Sequence, residues 1–106
     1  MNHRIQTILF SLRSQFQNVY SNRLVQLLLY GSQSRGDAAS GSDIDVLVVL
    51  QGPVDPGEEI TRTGPLIAAL SLQHGVVLSC AFVSLNRYLK EKSPLLLNIH
   101  REGIKV

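Results

Sequence analysis

A single cysteine, Cys80, excludes an intramolecular disulfide and any metal site built on paired cysteines. It lies in an apolar stretch and is expected to be a buried small hydrophobe. No apolar run reaches the ~18 residues that a membrane span needs. The opening Met1-Asn2-His3-Arg4-Ile5-Gln6 has no signal-peptide core, so a cytoplasmic location is the expectation. Charge is scarce as well, at 17% of residues and a net +2. Ten basic residues are scattered from Arg4 to Lys105 without a run and with little aromatic interleaving, so no nucleic-acid partner is expected. His3, His74 and His100 are too far apart for ligand spacing. There is no Gly-Lys-Ser/Thr phosphate loop, no dinucleotide fingerprint and no Gly-x-Ser-x-Gly elbow.

What is present fits one domain over 1–106, with 44% hydrophobic residues and a size that buries roughly 65% of the unfolded surface. Ile5, Ile8, Leu9, Leu12, Phe16 and Val19 recur at spacings of three and four, which predicts a helix over about 2–20. Val25–Tyr30 is a near-continuous apolar run and reads as a strand buried on both faces. One helical turn is expected around Ser34–Ala38, then a second strand over Asp43–Leu50. Two prolines and two glycines make 51–57 a loop. A helix follows over 58–73 with Ile60, Leu66, Ile67, Leu70 and Leu72 inward, kinked or delayed by Gly64-Pro65. Val76–Val83 is a third strand. Ser84 caps a short helix to about Lys90, and Ser93-Pro94 opens another that Glu102-Gly103 ends. Leu95, Leu96, Leu97 and Ile99 form a broad apolar face, open to core burial, a partner or a second copy in a homo-oligomer. Ile104–Val106 is a short last strand. The order implies an α/β (mixed α+β) fold, a small mixed sheet flanked by helices.

Chemistry concentrates at 30–45. Tyr30-Gly31-Ser32 ends the first strand, and Ser42-Asp43-Ile44-Asp45 opens the second. Alternate strand residues share a face, so Asp43 and Asp45 project together with Cα atoms roughly 6.5–7 Å apart. Aspartate is depleted in strands, and two on one face repel unless a cation offsets the cost. Paired carboxylates suit Mg²⁺, and a Gly-Ser turn suits phosphate: Gly31 admits close backbone approach, and Ser32 adds a hydroxyl donor. Arg35 is placed to support phosphates or to pair with Asp37. Average residue usage gives this combination a chance frequency on the order of 10⁻⁸ per start position.

Gly31-Ser32, Arg35-Gly36-Asp37-Ala38 and Ser42-Asp43-Ile44-Asp45 resemble the signature of the nucleotidyltransferase (polymerase β-like) superfamily, and the short length resembles its minimal MNT-type domains. The resemblance implies Mg²⁺ on Asp43 and Asp45, in a site that can take two metals, and triphosphate on Gly31 and Ser32. It implies transfer of NMP, with ATP as the expected donor, to an acceptor hydroxyl with loss of pyrophosphate. It also implies a helical HEPN-type protein partner for which the domain is an antitoxin, sometimes by adenylylating it.

The chain departs from the pattern at one place. The superfamily usually carries a third carboxylate on a later strand, and Val76–Val83 has none; Ser79 is its polar residue. Asp55, Glu58 and Glu59 are the acids that could reach in from the loop. The alternative is therefore a catalytically weak or inactive module that binds NTP or a partner.

Overall fold

The computed structural model describes residues 3–35 and 43–106, and for Ser32 and Arg35 the backbone alone. α1 (His3–Tyr20) buries Ile5, Ile8, Leu9, Leu12, Phe16 and Tyr20. The stripe ends on Tyr20 rather than the expected Val19, which is exposed. Tyr20 lies one helical turn beyond Phe16, and the two rings meet edge to face at 5.9 Å. A 3₁₀ turn (Ser21–Arg23) then leads into β1 (Leu24–Tyr30).

The helical turn is α2 (Ser32–Arg35), earlier than expected; residues 36–38 of that expectation lie outside the described residues. β2 (Ile44–Leu50) starts one residue after Asp43. α3 (Pro56–His74) starts before the expected 58, because Asp55 is its N-cap and accepts from the backbone N–H groups of Gly57 and Glu58 at 3.0 and 3.3 Å. Pro56 at the first turn has no N–H to waste. The helix runs through Pro65, which is exposed, so neither break nor delay follows from it.

Gly75 ends α3 in the left-handed conformation, and Val76 N–H donates to Ser71 O at 3.0 Å. That cap holds Val76 out of β3, which spans Leu78–Ser84. Ser84 and Ser93 cap α4 (Leu85–Lys90) and α5 (Pro94–Glu102) through their hydroxyls, as the sequence predicts. β4 (Ile104–Lys105) closes the chain.

The sheet order is β3-β2-β1-β4, with β2 and β3 parallel and the other pairs antiparallel. Strand alternation divides its side chains between two cores. Leu27, Leu29, Ile44, Val46, Val48, Leu78 and Phe82 pack under α1 and Leu70 of α3. Leu28, Leu47, Val49 and Val83 pack against Leu96 and Ile99 of α5, with Leu85 and Tyr88 of α4 beside them. The result is an α/β fold of three layers, with β2 fully enclosed beyond its first residues.

α3 departs from a simple apolar stripe. Ile60 and Leu72 are exposed, while Glu59, Thr63 and Leu70 are buried. Glu59 accepts from Tyr20 Oη at 2.7 Å and from Arg62 Nε at 3.0 Å, and Arg23 is 3.9 Å away. Thr63 donates its hydroxyl to the Glu59 carbonyl at 2.8 Å. A polar residue can occupy a buried face when every polar atom has a partner. On α5, Leu96 and Ile99 fill the core, whereas Leu95 and Leu97 remain exposed. No helix among the described residues is long and apolar enough to cross a membrane.

Candidate active site

β1 ends at Tyr30 and the chain turns at Gly31, whose φ is +75°. Side chains with a Cβ rarely adopt that conformation. The Gly31 carbonyl accepts both the backbone N–H of Ser34 at 3.1 Å and its hydroxyl at 2.8 Å, which ties the turn to α2. A Cβ on Gly31 would stand 2.8 Å from Oδ2 of Asp45. The sheet brings these residues together: Tyr30 pairs with Asp45 in the β1–β2 register. The Gly-Ser turn and the second aspartate of Asp43-Ile44-Asp45 thus share one corner of the molecule.

Asp43 is exposed and precedes β2; Asp45 is half-buried on it. The ladder extends to this point, since Ile44 N–H donates to Val77 O at 2.9 Å. Burial raises the Asp45 carboxyl above its ordinary value, and the charge of Asp43 raises it further. The charge of Asp43 is felt at Asp45, although Asp43 stands just before the strand. Among the described residues no Lys, Arg or His is paired with either one. Two oxygen-donor groups held close, with no described cationic partner, fit a hard divalent cation such as Mg²⁺. Among the described residues no group of three His, Cys, Asp or Glu side chains gathers.

Ser79 is the register partner of Asp45 on the other side, so Tyr30, Asp45 and Ser79 form one row across three strands. The row lies beyond Leu47 and Val49, where α4 and α5 cover the sheet. Tyr30 drew no role from the sequence, although it is the last strand residue before the Gly-Ser turn. Its hydroxyl is pushed up by burial and then by Asp45 and Cys80. Cys80 is half-buried rather than fully buried, and burial still pushes its thiol up to about 12, which leaves it inert.

Ser32 and Arg35 sit on the backbone of α2 beside the corner. The expected Arg35–Asp37 pair, with Gly36, Ala38 and Ser42, lies outside the described residues. The acids after β2 do not come to the site. Asp45 is near the start of β2 and α3 follows its end, about 17 Å of strand away at ~3.3 Å per residue. Asp55 caps α3 and Glu59 is engaged by Tyr20 and Arg62.

The model of the nucleotidyltransferase domain family matches residues 9–103. The chain belongs to this family. Among curated proteins none matches it. Solved structures share the fold. A toxin–antitoxin crystallised with AMP-PNP is 19% identical with a TM-score of 0.59, over 88% of this chain and 68% of that one. A Sulfolobus solfataricus protein assigned as a nucleotidyltransferase is 17% identical with a TM-score of 0.60, over 96% and 75%. The toxin–antitoxin MntA–HpeT, as a point variant, is 18% identical with a TM-score of 0.58, over 91% and 69%. A second MntA–HpeT variant, at 16% identity, TM-score 0.57 and coverage of 90% and 69%, carries two aspartate-to-glutamate changes two positions apart.

Proposed function

We propose that this nucleotidyltransferase domain moves NMP, with AMP as the first candidate, from NTP to an acceptor hydroxyl. The acceptor is proposed to lie on a helical HEPN-type partner protein, for which the chain is the antitoxin. The observation that carries the reading is the corner where Gly31 faces Asp45 beside Asp43. Asp43 and Asp45 hold Mg²⁺ through carboxylate oxygens. The backbone at Gly31 and Ser32 holds phosphate oxygens, because the missing Cβ of Gly31 leaves room for close approach. Arg35 supports the phosphates from α2. When bound, Mg²⁺ neutralises phosphate charge and polarises the phosphoryl group. The acceptor oxygen bonds to the α-phosphorus, the bond to the leaving pyrophosphate breaks, and the hydroxyl proton passes to water. The toxin–antitoxin neighbours, one with AMP-PNP, support a nucleotide donor and a protein partner.

A second reading has one observation behind it. Ser79 is level with Asp45 on β3, a strand with no acid, so the site can bind without efficient turnover. It then acts as a nucleotide- or partner-binding module.

The experiment is thermal melting with Mg²⁺ and ATP, GTP, CTP or UTP, on wild type and on D43N/D45N. A metal-dependent shift lost in the double variant is expected, since ligand that binds only the native state raises its stability. No shift with any nucleotide would overturn the nucleotide-site reading. Labelling of a co-purified partner from radiolabelled NTP then separates transfer from binding alone.

A further inference from the structure

β3 is an edge strand that lacks the devices that usually keep edges apart. Its seven residues, Leu78–Ser84, include no charge, no proline and no register shift against β2. Natural edges are commonly blunted by one of these, because an open row of N–H and C=O groups is a template for another strand.

The direction of those groups can be worked out. Val77 O accepts from Ile44 N–H, so Val77 directs its backbone toward β2. In a parallel ladder alternate residues do this, which assigns 79, 81 and 83 to β2 and turns Leu78, Cys80, Phe82 and Ser84 outward. The Leu78 N–H confirms the direction: it donates outward, to Ser71 Oγ at 3.2 Å. Among the described residues nothing pairs with the outward backbone of Cys80 or Phe82.

We infer that the β3 edge is the interface with a second copy of this chain, paired antiparallel about a two-fold axis at Ala81. That register sets Cys80 opposite Phe82 and Leu78 opposite Ser84. Cys80 and Phe82, whose outward backbone is unpaired among the described residues, form the hydrogen-bonded pairs, while the Leu78 N–H stays with Ser71 Oγ. Ala81 then meets its own copy in the closer, non-hydrogen-bonded pairing, where a small side chain fits.

The flanks agree. Val77 of one copy falls opposite Leu85 of the other, beside Leu89 on α4. Val77 and Leu89 are both exposed large apolar residues, at 53% and 66%. A second copy is the occupant because the two residues with unpaired outward backbone, Cys80 and Phe82, flank Ala81 symmetrically, so one two-fold there satisfies both at once.

The test is the mass of the full chain in solution, with Ala81→Lys and Ala81→Cys. The expected result is twice 11.7 kDa for wild type by sedimentation equilibrium. Ala81→Lys, which opposes two like charges at the axis, should be monomeric with a cooperative melt. Ala81→Cys should form a covalent dimer on mild oxidation, while wild type, with Cys80 opposite Phe82, should not. A wild-type monomer up to ~100 μM, well above the Kd of a specific interface, overturns the inference, as does a dimer that Ala81→Lys leaves intact. A chain that assembles only with a co-expressed foreign protein overturns self-pairing too. If Ala81→Lys fails to fold, the cross-link decides: its absence in Ala81→Cys counts against the interface.

Discussion

Gly31 and Asp45 are 14 residues apart in sequence, yet a Cβ on the first would stand 2.8 Å from a carboxylate oxygen of the second. The contact follows from the Tyr30–Asp45 pairing of antiparallel β1 and β2. It gives Gly31 two separate requirements, a positive φ and an empty Cβ position.

Gly31→Ala should therefore lose on both counts. The left-handed conformation costs a residue with a Cβ about 1–2 kcal/mol, and the methyl would push the Asp45 carboxylate from its place. The expected outcome is a lower melting temperature together with loss of any Mg²⁺–NTP stabilisation. A variant that melts lower yet keeps the full nucleotide shift would show that the position of Asp45 does not matter to the ligand.

The pH behaviour of Asp45 has a definite sign. Its folded pKa is raised above the ordinary 3.8, by burial first and Asp43 second. Folding thus favours the protonated form. The associated stability is fully present below 3.8 and is lost as pH rises through the raised folded value. Metal-free Asp45→Asn, which keeps the site neutral, should melt higher than wild type at neutral pH. The gap should close on acidification below that ordinary value. Melting curves in EDTA across this range check it; a variant less stable than wild type at neutral pH runs against the argument.

Much of this corner was legible from the sequence because it is local. Gly31 sits at a strand end, and Asp45 opens the next apolar run, although the strand starts at Ile44 and leaves Asp43 just outside it. Ser84 and Ser93 were readable as caps for the same reason. What sequence pattern missed was set by partners distant in the chain. Glu59 and Thr63 occupy the inner face of α3 because Tyr20, Arg62 and the helix carbonyl satisfy them, so Ile60 faces out against its hydropathy. The row of Tyr30, Asp45 and Ser79 needed two strand registers, which no periodicity supplies. The place of Ser79 as the polar residue on β3 was visible; that it is level with Asp45 was not.

Glu59 offers a control far from the site. Glu59→Ala would leave the buried Tyr20 hydroxyl without its acceptor and remove the partner of Arg62. Leaving buried polar groups unpaired costs about 1–3 kcal/mol. Chemical denaturation should show a loss in that range, and Glu59→Gln a smaller one, because an amide oxygen can still accept from Tyr20. Nucleotide-induced stabilisation should survive in both. Its loss would mean that the α1–α3 core and the corner at Gly31 are coupled.

Ser79→Asp separates the two readings of function. In register with Asp45, the new carboxylate adds a third negative group to a row that already disfavours charge. Without metal the variant should melt lower than wild type, since like charges side by side on a sheet repel. Mg²⁺ alone should reverse that loss, because three carboxylates hold a divalent cation better than two. If the wild-type corner is a transferase site short of one ligand, labelling of an acceptor by radiolabelled NTP should rise in the variant. If the variant gains Mg²⁺ stabilisation yet labels nothing that wild type does not, the site is a binding module whose geometry holds a metal–nucleotide without positioning an acceptor. A variant that Mg²⁺ fails to rescue would show that position 79 does not reach the metal, and would count against the proposed site as a whole.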